Sequence, residues 1–418
     1  MDALQQRRLA AAAALVAVVA SLALALSPLL GADGAAAARG TSAPLEATSE
    51  LPAWLAPGAR FQISGWAGGG ERVQLRAGQL TLATAKAGPL GRFVLRARAP
   101  LGSGRHSLVL RTPVRQARLG ALRVRPLVLA AGGDVNLGDR IGTAIAADGP
   151  HRPWARVAPL LRAADLAVVN LECAVSDRGA PVAKEYTFRG PPAAFVGVAR
   201  AGVDAVSVAN NHSLDYGGDA FLDTLARSRR ARVQPFGGGG NLAAARRPVL
   251  FERGGLTVAL LGYSDVRPLG FDAAPGKPGA ARAELSWIRA DVGRARRRAD
   301  LVVVYFHWGT ELARRPDARQ QRFAAAAIGA GATVVLGAHP HVLQPLERRG
   351  GRIIAWSLGN LVFGAGSPGT TETGILLVHL GADGAHAAEL VPARIHGFTP
   401  VPEPRRAAQA LRRLRAHA

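Results

Sequence analysis

At 418 residues the chain is long enough for two or three domains. Hydrophobic residues make up 49% and charged residues 19%, which excludes wholesale disorder. A single cysteine, Cys173, excludes an internal disulfide framework and any cysteine-rich zinc module. The net charge of +23 favours anionic partners, yet only three of the 52 basic residues are lysines (Lys86, Lys184 and Lys277) and the arginines are scattered. That pattern fits a coding bias and a solvated arginine-rich surface. There is no zinc finger, RNP-like aromatic motif or basic arm, so no nucleic-acid partner is expected.

Arg7 and Arg8 precede an apolar run from Leu9 to Leu30. As a helix it spans about 33 Å, enough for a hydrocarbon core. Residues 1–30 therefore read as a signal peptide or a membrane anchor, with the rest of the chain exported. The alanines at 35–38 offer cleavage sites, so both readings stay open. Residues 31–50 are small and polar and read as a linker. Residues 51–125 carry short alternating stretches at Arg60–Gly65, Arg72–Arg76, Gly91–Arg96 and His106–Arg111, separated by glycine and proline. This predicts a small all-β, Ig-like sandwich with a spacer or binding role.

From 126 to about 400, buried strands alternate with helices, which predicts a layered α/β domain. Predicted strands start at Leu127, Leu166, Ala205, Thr257, Leu301, Thr333 and Arg352. Predicted helices lie at Ala155–Ala164, Ala193–Ala201, Asp219–Arg230, Ala283–Arg297 and Arg319–Ala330, and two final antiparallel strands at Gly374–Leu380 and Ala387–Ile395. Residues 401–418 form a basic tail, most simply a surface helix.

Five of these strands end in polar side chains: Asp134 and Asn136; Asn170 and Glu172; Asn210, Asn211, His212 and Asp215; His307 and Glu311; His339 and His341. Layered α/β folds gather ligands outside the carboxyl ends of their strands. Carboxylates, amides and imidazoles there suit Zn, Mn or Fe. Singly, each has an ordinary explanation as a cap, a turn or a surface histidine. Four of the ten histidines directly follow predicted buried strands, which is harder to obtain by chance.

The ordered set GDVNLG, VVNLE, ANNHSLDYG, YFHWGTE, GAHPHVLQ and SLGNLVFG resembles the CapA family of poly-γ-glutamate capsule synthesis proteins. That family is similar to the calcineurin-like metallophosphoesterases. The resemblance implies a four-layer α/β/β/α metallophosphatase-like sandwich with a two-metal site. It implies Asp134 and His341 on one metal, His307 and His339 on the other, Asn211 as an amide ligand and Glu172 as the bridge, with Asn170 the alternative bridge. It implies His212 as the proton donor, oriented by Asp215. Asn136, Asn170, Asn210, Glu311, Gln344 and Asn360 would line the substrate pocket or support the ligands. Asn136 stands where many relatives carry a histidine.

The function expected is an exported, metal-dependent, phosphoesterase-like hydrolase of a cell-envelope substrate. The substrate would be a phosphoester or an anionic polymer of the poly-γ-glutamate type. The alternative is a non-catalytic capsule or envelope assembly factor that binds a polyanion.

Overall fold

In the computed structural model, residues 44–364 and 366–417 are described. The signal or anchor segment and most of the expected linker lie outside them. Among the described residues, no helix is long and apolar enough to cross a membrane.

Two small antiparallel sheets come first. One orders Glu46–Ala47, Arg60–Trp66 and Arg92–Arg98; the other orders Leu80–Lys86, Arg72–Ala77, Gly104–Arg111 and Gln116–Val124. Strict alternation makes each strand two-faced. In Arg92–Arg98, Phe93, Leu95 and Ala97 are buried and the residues between them are exposed. Two strands escaped the sequence reading. Leu80–Lys86 carries alanine or threonine where larger β formers are usual, and Gln116–Val124 is rich in arginine and small residues. The expected linker is also shorter than predicted, because Glu46 and Ala47 pair with Trp66 and Gly65.

Two larger mixed sheets follow. The first orders Gln234–Phe236, Ala205–Ser207, Leu166–Leu171, Leu127–Val135, Glu372–Gly381, Gly384–His396 and Thr399–Pro402, with Asn360–Val362 also paired to Leu127–Val135. The second orders Val249–Arg253, Leu256–Ser264, Leu301–His307, Val334–Ala338, Arg352–Ala355 and Leu346–Arg349. Parallel strands form the middle of the second sheet and one half of the first; antiparallel strands complete both.

The sheets stack face to face. Leu127, Leu129 and Ala131 of one share a core with Leu256, Val258, Leu260, Val303 and Tyr305 of the other, and the small sheets feed the same core through Ile63, Leu75 and Leu122. The opposite face of the first sheet packs Val128, Ala130 and Val169 against Ile141, Leu161, Val198, Leu225 and Leu414. These come from helices Asp139–Asp148, Ala158–Ala163, Ala194–Arg200, Gly217–Arg230 and Pro404–His417. Helices Leu285–Arg296 and Ala318–Ala330 cover the second sheet through Ile288, Val292, Phe323 and Ala327. Strands buried on both faces explain the continuous apolar runs.

Helix Asp139–Asp148 was not predicted. It has no side-chain cap and buries only Ile141 and Ile145. The basic tail begins within strand Thr399–Pro402, and its helix docks by burying Ala410 and Leu414.

Register places the strand ends together. Asp134 pairs with Asn170 on one side and Asn360 on the other. His307 pairs with Ala338, one residue before His339. The Tyr305 hydroxyl donates to the Gly132 carbonyl at 2.7 Å, tying the two sheets beneath the site. The chain crowds at Gly133, where an added Cβ would meet the Gly359 carbonyl oxygen at 1.8 Å. Gly133→Ala is expected to cost more than about 4 kcal/mol, because the backbone itself must move. Urea unfolding of the variant checks this, and parental stability would contradict the close approach.

Candidate metal centre

Asp134, Asn170, Glu172 and His307 are completely buried, and His339 and Asn211 nearly so. Each group's oxygens and nitrogens therefore have to find partners inside the protein. The Asp134 carboxylate accepts from Asn170 Nδ2 at 2.8 Å and from the His339 backbone N–H at 3.0 Å. His341 Nδ1 lies 3.4 Å from its second oxygen and 2.8 Å from Asn360 Oδ1. His307 Nε2 lies 2.7 Å from Asn211 Oδ1 and 3.2 Å from Glu172 Oε1.

Two groups of ligand atoms come within 4.8 Å of one another: Asp134 with Glu172 and His307, and Glu172 with His339 and His341. The pairing the family resemblance implies is also close at hand, with His341 Nδ1 3.4 Å from Asp134 and the His307 and His339 rings 4.8 Å apart. Glu172 is common to both groups. The Asn170 amide nitrogen donates to Asp134 and its oxygen accepts from Asn210 at 3.2 Å.

A divalent cation suits this donor set. Both Glu172 oxygens and His339 Nδ1 are buried without a hydrogen-bond partner. A buried carboxylate without hydrogen bonds is costly unless a cation meets it. Backbone strain points the same way: His339 and His341, on either side of Pro340, have φ of 94° and 58°. Left-handed backbone at residues other than glycine persists where surrounding structure enforces it, often at functional sites.

Proton affinities follow from burial and charge. Burial and the neighbouring Asp134 charge push Glu172 up to about 8. Burial works against a charged His341, but Glu172 and its bond to Asp134 win and raise it to about 10. Burial also opposes ionisation of Asp134, yet His341 and His307 hold it below the usual carboxylate range. Burial drives His307 down to about 3 and depresses His339. Cys173, pushed by burial up to about 12, is an inert packing thiol whose Sγ accepts from Leu137 N–H.

Without metal, then, Glu172 and His341 hold protons more firmly folded than unfolded. Their stabilisation is complete below the unfolded values and is lost as pH rises through about 8 and 10. His307 acts oppositely and only below its unfolded value, as pH falls toward about 3. Chelator-treated protein should lose at least about 5 °C of Tm between pH 6.5 and 9, and manganese should abolish the loss. A flat thermal-shift profile in chelator would contradict these proton affinities.

Beside the centre, His212 Nδ1 lies 2.6 Å from Asp215 Oδ2, and the imidazole stacks on Phe188 at 4.2 Å between centroids. Asp215 also accepts from the Phe188 N–H at 2.7 Å. Lys184, missed in the sequence reading, completes the arrangement. Its ammonium reaches the Asn211 carbonyl at 2.6 Å, Asp215 Oδ1 at 2.9 Å and His212 Nδ1 at 3.0 Å. The available signal was its type, since lysine is rare in a chain that elsewhere uses arginine.

The remaining predicted residues divide. Asn360 orients His341. Asn210 shapes the loop by accepting from His212 N–H and donating to the Leu171 carbonyl. Asn136 accepts from Gly138 N–H at 2.8 Å and builds the turn into the next helix. Gln344 is likewise a loop tie, accepting from Gln320 and donating to the Ala313 carbonyl. Glu311 is exposed and takes no part in the buried hydrogen bonds.

Residues 128–365 match the family model for the bacterial capsule synthesis protein PGA_cap, more than half of the chain. The chain belongs to that family. It is 32% identical over 273 residues to the PGA biosynthesis protein CapA of Bacillus subtilis, covering 65% of this chain and 72% of that one. It is 30% identical to the capsule biosynthesis protein CapA of Bacillus anthracis, covering 66% of this chain and 69% of that one. Among solved structures it is similar to a 5'-nucleotidase precursor from Thermus thermophilus, at 16% identity and a TM-score of 0.37, over 69% of this chain and 58% of that one. So distant a structural likeness informs no chemistry; the matched family residues include every candidate ligand.

Proposed function

We propose that this capsule synthesis family member is a metal-dependent hydrolase with a two-cation centre, acting on an anionic envelope polymer or a phosphoester at the outer face of the membrane. The observation that carries the reading is Glu172, a buried carboxylate without hydrogen-bond partners and shared by two ligand groups. Asp134, Glu172 and His307 would hold one cation, and Glu172, His339 and His341 the other, with Asn211 beside His307. Such cations, when bound, activate water and offset charge on the attacked group. Asn170 and the His339 backbone N–H hold Asp134 in place, and Asn360 holds His341. Asp215 occupies His212 Nδ1, which leaves Nε2 to deliver a proton to the departing atom.

The relatives' names, for capsule or PGA biosynthesis, support a role with an envelope polymer. Those names also favour a second reading, a non-catalytic assembly factor. Metal analysis of the purified protein, with hydrolysis of bis-(p-nitrophenyl) phosphate in manganese, separates the two. About two metals per chain with turnover supports the hydrolase. Metal without turnover favours the assembly factor, and no metal after loading overturns the centre.

A further inference from the structure

A cleft of about 650 Å³ lies between the segment Val182–Lys184, the start of helix Gly217–Arg230 and the loop 268–278. That volume is typical of a small-ligand site. Its walls are apolar, with Val182, Leu214, Leu269 and Phe271 contributing. They also include Lys184 and Lys277, two of the chain's only three lysines.

The two ammonium groups differ. That of Lys184 is engaged by Asn211, His212 and Asp215. Among the described residues, that of Lys277 has no hydrogen bond or ion pair. Local geometry fixes where Lys277 stands. Ala274 and Lys277 exchange backbone hydrogen bonds at 3.1 and 3.2 Å across Pro275-Gly276, and Gly276 has a φ of 71°. Proline followed by a left-handed glycine is a tight-turn pair. A Cβ on Gly270 would lie 3.9 Å from Lys277 Nζ, so the ammonium sits over that glycine, next to Leu269. Leu269 is 102% exposed, a large apolar side chain that nothing covers among the described residues. At the inner end, the Phe271 ring centroid is 5.5 Å from Lys184 Nζ, which bonds the His212–Asp215 pair.

We propose that this cleft binds an apolar group bearing a single anion, namely the part of a phosphoester substrate, rather than of a polyanionic one, that departs on the His212 side of the centre. An apolar wall with one free ammonium matches that chemistry, and a polyanion would leave further charges unpaired among apolar side chains. The inference rests on the hydrolase reading only in calling the ligand a part of the substrate.

The test uses the full chain and two fluorescent probes: 8-anilinonaphthalene-1-sulfonate, with one sulfonate, and the neutral N-phenyl-1-naphthylamine. Lys277→Met should weaken the sulfonate probe about tenfold and leave the neutral probe unchanged. Leu269→Glu should weaken the sulfonate probe still more. Both positions are exposed, so folding is not at stake. Chelator treatment should not alter probe binding. Sulfonate affinity within about twofold of the parent in both variants overturns the proposal. Probe binding that obeys these expectations in a protein without metal or turnover keeps the cleft and removes the hydrolase.

Discussion

Glu172→Gln is expected to empty the metal centre and, at the same time, to stabilise the metal-free protein at alkaline pH. Glu172 belongs to both ligand groups, so its loss weakens both positions. Outer-shell partners of metal ligands alone govern affinity by 10–100-fold, so removing a shared ligand should exceed about 100-fold. In the metal-free chain, however, Glu172 is a buried carboxyl beside Asp134 whose oxygens, among the described residues, have no hydrogen-bond partner. A neutral amide keeps the shape and removes the charge that must form above about pH 8. Elemental analysis after manganese loading reads the first effect. Thermal unfolding in chelator at pH 9 reads the second. A variant that retains about two metals would remove Glu172 from the bridging position. A variant with lower metal-free Tm at pH 9 would show that the carboxylate has partners of its own.

His212→Ala should lower turnover by about 10²–10⁴-fold and leave the bound metal unchanged. His212 lies outside both ligand groups, and its Nδ1 is held by Asp215. Stacking on Phe188 and the Lys184–Asp215 contact keep the ring in place. The loss should depend on the leaving group. A nitrophenolate departs readily without a proton, so its ester should suffer least, and an alkyl ester should suffer most. Equal losses for both would assign His212 to positioning rather than to proton transfer. Metal loss in the variant would instead make it a ligand.

Much of the centre is legible from local pattern. Buried parallel strands read as continuous apolar runs, and the polar residue that ends each run marks where the strand leaves the core. Asp134, Glu172, His307, His339 and His341 stand out for that reason. Asparagine and glutamine are harder to assign, because one amide serves a turn, a helix or a ligand equally well. Asn360 supports His341, whereas Asn136 and Gln344 hold loops. Lys184 lies in an irregular stretch with no periodicity, so only its scarcity marked it.

The sequence by itself determined the alternation of strands and helices, the apolar layers and the ligand residue types. These follow from side-chain period and chemistry within a few residues of each other. Only the tertiary structure brought ligand atoms of Asp134, Glu172 and His307 within 4.8 Å of one another, since they stand in or directly after strands of two different sheets. It alone brought Lys184 under the His212–Asp215 pair and Lys277 to the mouth of the same cleft. Contacts between distant segments depend on register and packing across the whole core, and no local pattern along the chain records them.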